Sequence, residues 1–144
     1  MTPTAAATWT RLVSLGFLPT ALILASSAFP AIDAPSRILH DFLDFPLDGD
    51  FTFTPESRWI ASIAGGVFAA LCVMLHQIVA PALEDGDERT RKGALLALLV
   101  WFPIDSIGSI AAGAPANAAF NVLFLFLFAY PLVAVRRAPV AAHG

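Results

Sequence analysis

Four stretches of this chain are apolar for long enough to cross a bilayer, and polar or turn-forming segments separate them. A spanning helix needs roughly 17–25 mostly apolar residues for a hydrocarbon core about 30 Å thick. "WTRLVSLGFLPTALILASSAF" predicts the first span over residues 9–29, and "WIASIAGGVFAALCVMLHQIVA" the second over 59–80. The third covers 93–112, and "ANAAFNVLFLFLFAYPLVAV" gives the fourth over 116–135. The connecting segment 30–58 has its own pattern. In "PSRILHDFLDF", Ile38, Leu39, Phe42 and Leu43 share one helical face, opposite Arg37, His40, Asp41 and Asp44. That spacing predicts a short amphipathic helix, lying on the membrane surface or capping the bundle. After it, "FTFT" alternates as a short strand does.

Composition turns these stretches into membrane spans. Hydrophobic residues make up 58% of the 144, charged residues 13%, and mean hydropathy is +0.75; a soluble domain carries about 25% charge. The expected fold is all-α: an integral membrane four-helix up-down bundle in one transmembrane domain, residues 1–144, with the amphipathic helix in the first outer loop. A net charge of −3 argues against a nucleic-acid partner, which calls for a basic face. The lone Cys72 allows no internal disulfide.

The first span also has features of a cleavable signal peptide, with small residues at Ser26–Ala28. No positive charge precedes Arg11, which favours a retained span. Lys and Arg set orientation. Arg89, Arg91 and Lys92 between spans two and three, and Arg136 and Arg137 in the tail, assign those segments and both termini to the cytoplasm of a bacterial inner membrane. The acidic segment 30–58 then lies outside. Its carboxylates Asp44, Asp48, Asp50 and Glu56 do not follow the EF-hand spacing and read as a solvated acidic loop.

One carboxylate interrupts an apolar run. In "WFPIDSIGSI", Asp105 lies roughly 18 Å into the third span at 1.5 Å per residue. Ser106 and Ser109 follow it, and Asn117 and Asn121 descend from the outer end of span four. Asp105 and Ser109 are i, i+4, as are Asn117 and Asn121, so each pair shares a helix face. The short turn "AAGAPA" makes spans three and four antiparallel neighbours. Ser62 in span two reaches a similar depth. Asp105, Ser106, Ser109, Asn117, Asn121 and Ser62 therefore form a candidate polar pocket in the outer half of the membrane. Gly65 and Gly66, at comparable depth, let helices approach closely or leave room for a ligand. Pro103 removes the donor to the Leu99 carbonyl and favours a kink that aims Asp105 inward.

A charge at the membrane centre costs about 2.5–3.5 kcal/mol, whereas an interhelical hydrogen bond returns about 0.6 on average. If Asn121 is the main partner, the imbalance tilts Asp105 towards a role beyond structural glue. His76 reads first as an interfacial histidine and second as a ligand or proton relay. Arg58 is an anchor at the outer mouth, placed to meet an anionic head group. Trp9, Trp59 and Tyr130 read as interfacial belt residues, and the phenylalanines of "FLFLFAY" as lipid contacts. No nucleophile–base pair, HExxH, Gly-rich phosphate loop or cysteine pair is present, which disfavours catalysis and a protein-bound metal.

"WFPIDSIGSIAAGAPANAAFNV", with "RWIASIAGGV", resembles a family of small four-span bacterial inner-membrane proteins of unknown function. The resemblance covers spans two to four and implies no activity or ligand. It supports treating Asp105, Ser106, Ser109, Asn117 and Asn121 as one unit.

The expected function is that of a non-enzymatic accessory or scaffold subunit of a larger respiratory or photosynthetic membrane complex. Its partners would be membrane lipids and other subunits, or further copies of itself. The sequence fixes no cofactor; a lipid, quinone or pigment is compatible with the polar pocket. The alternative is a small transporter or ligand-binding protein that uses Asp105 as its proton or substrate site. A third reading is a redox protein using His76.

Overall fold

A computed structural model describes residues 1–44 and 47–135. The predicted basic tail residues Arg136 and Arg137, and His143, lie outside the described residues. The chain is helical, with no strand among the described residues. Helix α1 (Pro3–Ala25) continues into a 3-10 turn, Ser26–Ala28. Helix α2 (Ala34–Asp44) occupies the loop. Helix α3 (Pro55–Met74) runs through a π-helical turn, Leu75–Val79, into α4 (Ala80–Glu84). Helices α5 (Glu88–Ala111) and α6 (Pro115–Ala134) follow. Four helical stretches are long and apolar enough to cross a membrane: Pro3–Ala28, Pro55–Glu84, Glu88–Ala111 and Pro115–Ala134. The chain is accordingly a multi-pass membrane protein.

Each long helix starts where a capping signal, not the onset of hydrophobicity, places it. Pro3, Pro55 and Pro115 open α1, α3 and α6 at their first turns, where the missing N–H is no loss. Thr2 accepts from the Ala5 N–H, and Thr54 and Ser57 form a reciprocal capping box. Asp87 caps α5 by accepting from the N–H groups of Arg89 and Thr90.

The long helices alternate in direction and pack as two antiparallel pairs, α1 with α3–α4 and α5 with α6, which meet along α1 and α6. At one end, called here the terminal end, the Met1 amino group donates to the Ala134 carbonyl at 2.8 Å. Arg11 forms a two-pronged ion pair with Glu84 at 2.8–2.9 Å. Arg91, held by Glu88, donates to the Leu132 carbonyl and satisfies an otherwise open C-terminal acceptor of α6. The core contains Ala6, Ala7, Leu75, Val79, Ala80, Leu83, Leu98, Phe128 and Leu132.

Two internal prolines are accommodated locally. Pro131 cannot donate to the Leu127 carbonyl, and the Trp9 indole N–H takes that place at 2.9 Å. Pro81 follows the π turn, in which the Ala80 N–H bonds back to Leu75, five residues earlier. Helix α5 continues through Pro103.

Gly65 marks the closest approach of α1 and α3: a Cβ there would lie 2.3 Å from the Ala25 backbone nitrogen. Gly66 faces open space. Close approach therefore holds for Gly65, while Gly66 lies on the exposed face of α3.

The aromatic positions correct two expectations. Phe124 and Phe128, four residues apart, turn into the bundle, where Phe17 packs on them at 4.7 and 5.5 Å between centroids. Phe126 points outward. The run is thus divided between core and surface by helical phase. "FTFT" is not a strand: Phe51 and Phe53 use their two-residue spacing to bracket His40, at 5.0 and 4.9 Å.

Candidate functional site: a carboxylate held between two helices

Asp105 sits on α5 and faces α6, which the three-residue turn 112–114 folds back against it. Positive φ at Gly113 permits that tight reversal. The carboxylate has four side-chain polar contacts, of which the Ser109 contact is the weakest because its one hydroxyl proton also reaches the Asp105 backbone carbonyl at 2.8 Å. Its Oδ1 receives Asn121 Nδ2 at 2.9 Å, Asn117 Nδ2 at 3.1 Å and Ser109 Oγ at 3.2 Å. Its Oδ2 receives the Trp101 indole N–H at 3.0 Å. The donors are also linked to one another. Asn117 Nδ2 reaches Ser109 Oγ at 2.8 Å, and Asn121 Nδ2 reaches Ser106 Oγ at 3.3 Å. Asn121 and Ser106 are buried, and Asp105, Ser109 and Asn117 are half-buried.

Five of the six residues expected in the polar pocket meet here. Ser62 does not: its hydroxyl donates to the Ala25 carbonyl at 3.3 Å, across the α1–α3 contact. Depth along a helix is legible from residue counting, but the direction a side chain faces around the bundle is not. Trp101 was missed, although its i, i+4 spacing to Asp105 was available as a signal.

Every partner of Asp105 among the described residues is neutral. Neutral donors can solvate a carboxylate in place of water without burying a second charge. The three bonds from Trp101, Asn117 and Asn121, at about 0.6 kcal/mol each, come to about 2 kcal/mol, most of the 2.5–3.5 kcal/mol expected for inserting the acid. A single bond to Asn121 would leave most of that cost uncovered.

The second polar cluster lies at the loop end. Arg58 pairs with Asp33 at 2.7 Å, donates to the Ser27 carbonyl, and lies 5.0 Å from the Phe53 ring centroid. Ser27 Oγ donates back to the Arg58 carbonyl at 2.9 Å, and Arg37 pairs with Asp33 at 3.1 Å. Arg58, expected as an anchor for a head group, therefore makes its polar contacts inside the protein. Asp33 and Asp41 are buried, whereas Asp44, Asp48, Asp50 and Glu56 are exposed.

His76 occupies the π turn, half-buried, and its ring makes no hydrogen bond, ion pair or ring contact among the described residues. No group of three His, Cys, Asp or Glu residues is arranged to hold a metal among the described residues. A cleft of about 430 Å³ opens at the terminal end between Pro3, Glu84, Asp85, Arg91 and Val133, remote from Asp105.

The chain matches no family model, no curated protein and no solved structure.

Proposed function

We propose that this chain is a non-enzymatic accessory or scaffold subunit of a larger assembly in a bacterial inner membrane, with both termini in the cytoplasm. One observation carries the reading: the acid within its spans is bound by four side chains of its own hairpin. A carboxylate held this way fixes α5 against α6 and leaves little of its hydrogen-bonding capacity for a ligand. Arg89, Arg91 and Lys92 at the terminal end support the orientation. Purification from native membranes in mild detergent tests the proposal. Co-elution with a defined set of polypeptides is expected, and a lone monomer would overturn it.

A second reading, a small transporter or ligand-binding protein with Asp105 as its proton or substrate site, is favoured by the neutrality of the Asp105 partners: no cation of the protein lies beside the carboxylate among the described residues. Asp105→Asn separates the two. In a scaffold, the amide oxygen still accepts from Asn117, Asn121 and Ser109, and only the Trp101 bond is lost. Stability should then fall by no more than about 0.6 kcal/mol and the partners still co-purify. In a proton or substrate site, the same variant folds but loses uptake or binding.

A further inference from the structure

Helix α2 is oriented against the rule for a loop in water. Its buried residues are polar, Ser36 at 0% and Asp41 at 6% exposure, while of its apolar residues Leu39 and Leu43 are half-buried and Ile38 and Phe42 are 65% and 44% exposed. The polar side is engaged within the loop: Asp41 accepts the Gly49 N–H at 3.0 Å, and His40 Nδ1 contacts the Ser36 carbonyl at 2.8 Å. Asp33, just before the helix, is paired with Arg37 and Arg58. Turning the apolar face inward would break the Asp41–Gly49 and Asp33–Arg58 contacts, whereas His40–Ser36 and Arg37–Asp33 are i, i+4 and would turn with the helix. Phe29, Ile32 and Leu47 extend the outward apolar surface beyond the helix.

The location of that surface indicates what covers it. Phe42 packs on Phe120 at 5.2 Å between centroids. Phe120 is five residues inside α6, about 7.5 Å below its first turn at 1.5 Å per residue. Phe120 in turn touches Phe124 of the same span. Phe120 is half-buried and Phe124 turns into the bundle, so Phe42 seats α2 against a spanning helix at that depth and leaves Ile38 facing outward beside it.

We propose that α2 is a lipid-embedded cap: Ile38, Phe42, Phe29 and Ile32 insert at the boundary between head groups and acyl chains of the leaflet at the loop end. Its polar side closes the bundle beneath. The proposal rests on the four-span membrane reading, and the test separates the two.

Single cysteines at Ile38, Phe42, Asp44 and Ile107, in a Cys72→Ala background, are labelled with a nitroxide. The protein is reconstituted into vesicles of phosphatidylethanolamine and phosphatidylglycerol. Collision with oxygen reports lipid, and collision with a water-soluble nickel chelate reports water. Ile107, exposed on α5, is the reference for lipid contact, and Asp44 is the reference for water. Ile38→Cys and Phe42→Cys should show an oxygen-to-nickel ratio several-fold above that of Asp44→Cys and near that of Ile107→Cys. A ratio matching Asp44→Cys would place the face in water and overturn the proposal. Low collision with both reagents would mean that a protein covers it, which also overturns it. Nickel access at Ile107 would overturn the four-span reading and this proposal with it. If Ile38→Cys does not fold, Phe29→Cys reads the same surface.

Discussion

Gly65→Ala should be the most damaging single-methyl change in the bundle, and its neighbour supplies the control. The added Cβ would lie 2.3 Å from the Ala25 nitrogen, 2.7 Å from the Ala21 oxygen and 2.8 Å from the Ala25 Cα. All three are backbone atoms, so no side-chain rotation relieves the overlap. Reaching ordinary contact requires α1 to retreat from α3 by about 1 Å, and a gap of that size forfeits a quarter to a half of each contact's attraction. The Ser62 bond to Ala25, already 3.3 Å long, would break. The Ser27–Arg58 exchange one turn further out would be strained. Overpacking of this kind costs about 1–3 kcal/mol. Gly66→Ala meets nothing within 4 Å and should stay within about 0.5 kcal/mol of the parent. The assay is reversible unfolding in mixed micelles with increasing denaturing detergent, followed by far-UV circular dichroism. Equal stability of the two alanine variants would refute the close α1–α3 packing on which the fold rests.

Three further outcomes follow from named contacts. Trp9→Phe should lose about 1 kcal/mol, because the Leu127 carbonyl then has neither the indole nor an N–H from Pro131. In a Pro131→Ala background, where residue 131 regains its N–H, the loss should shrink, as a double-mutant cycle would read. Ser36→Ala should be neutral or stabilising by up to about 1 kcal/mol in a thermal melt, since its buried hydroxyl has no partner among the described residues and an unsatisfied buried group is costly. The Thr90 hydroxyl, then the Thr90 and Arg89 backbone N–H groups, hold the Asp87 carboxyl below its usual value of 3.8. Its folded form is the more acidic, so its stabilising contribution is complete above about pH 3.8 and fades as pH falls through the lower folded value. Asp87→Asn should flatten that part of the acid unfolding profile.

The four spans were legible because roughly 20 apolar residues in a row leave little else that the backbone can do. Their beginnings were not. Residues 3–8, "PTAAAT", are too polar to register as membrane, yet Thr2 and Pro3 start α1 there. Asp87 likewise starts α5 five residues before the apolar run at Gly93. Caps act through single backbone bonds, which a hydropathy average does not register. The i, i+4 spacing brought Asp105, Ser109, Asn117 and Asn121 to one helix pair, because a short turn leaves adjacent helices one way to face. Ser62 failed the same reasoning, since neighbouring helices in a bundle can rotate about their axes without altering depth. The Asp33–Arg58 pair spans 25 residues of loop, and periodicity carries no information about such a path.

The hydrogen bonds divide the bundle unequally. Within the first pair, Arg11–Glu84, Ser62–Ala25 and Ser27–Arg58 tie α1 to α3–α4 from end to end. Within the second, Arg91–Leu132 and the Asp105 network do the same for α5 and α6. Between the pairs, the described side-chain and amino-terminal hydrogen bonds, Met1–Ala134 and Trp9–Leu127, lie towards the terminal end. Further out, Phe17 and Phe68 of the first pair meet Phe124 of the second through ring contacts, with no described side-chain hydrogen bond between the pairs there. In lipid, apolar contacts between helices have no hydrophobic driving force behind them, because acyl chains cover the same surfaces equally well. The seam between the pairs should therefore loosen first at the loop end. Helix α2 crosses that seam, touching both α1 and α6. A cap anchored in the leaflet on one side and hydrogen-bonded within its loop on the other would hold the two pairs together where their own contacts are weakest.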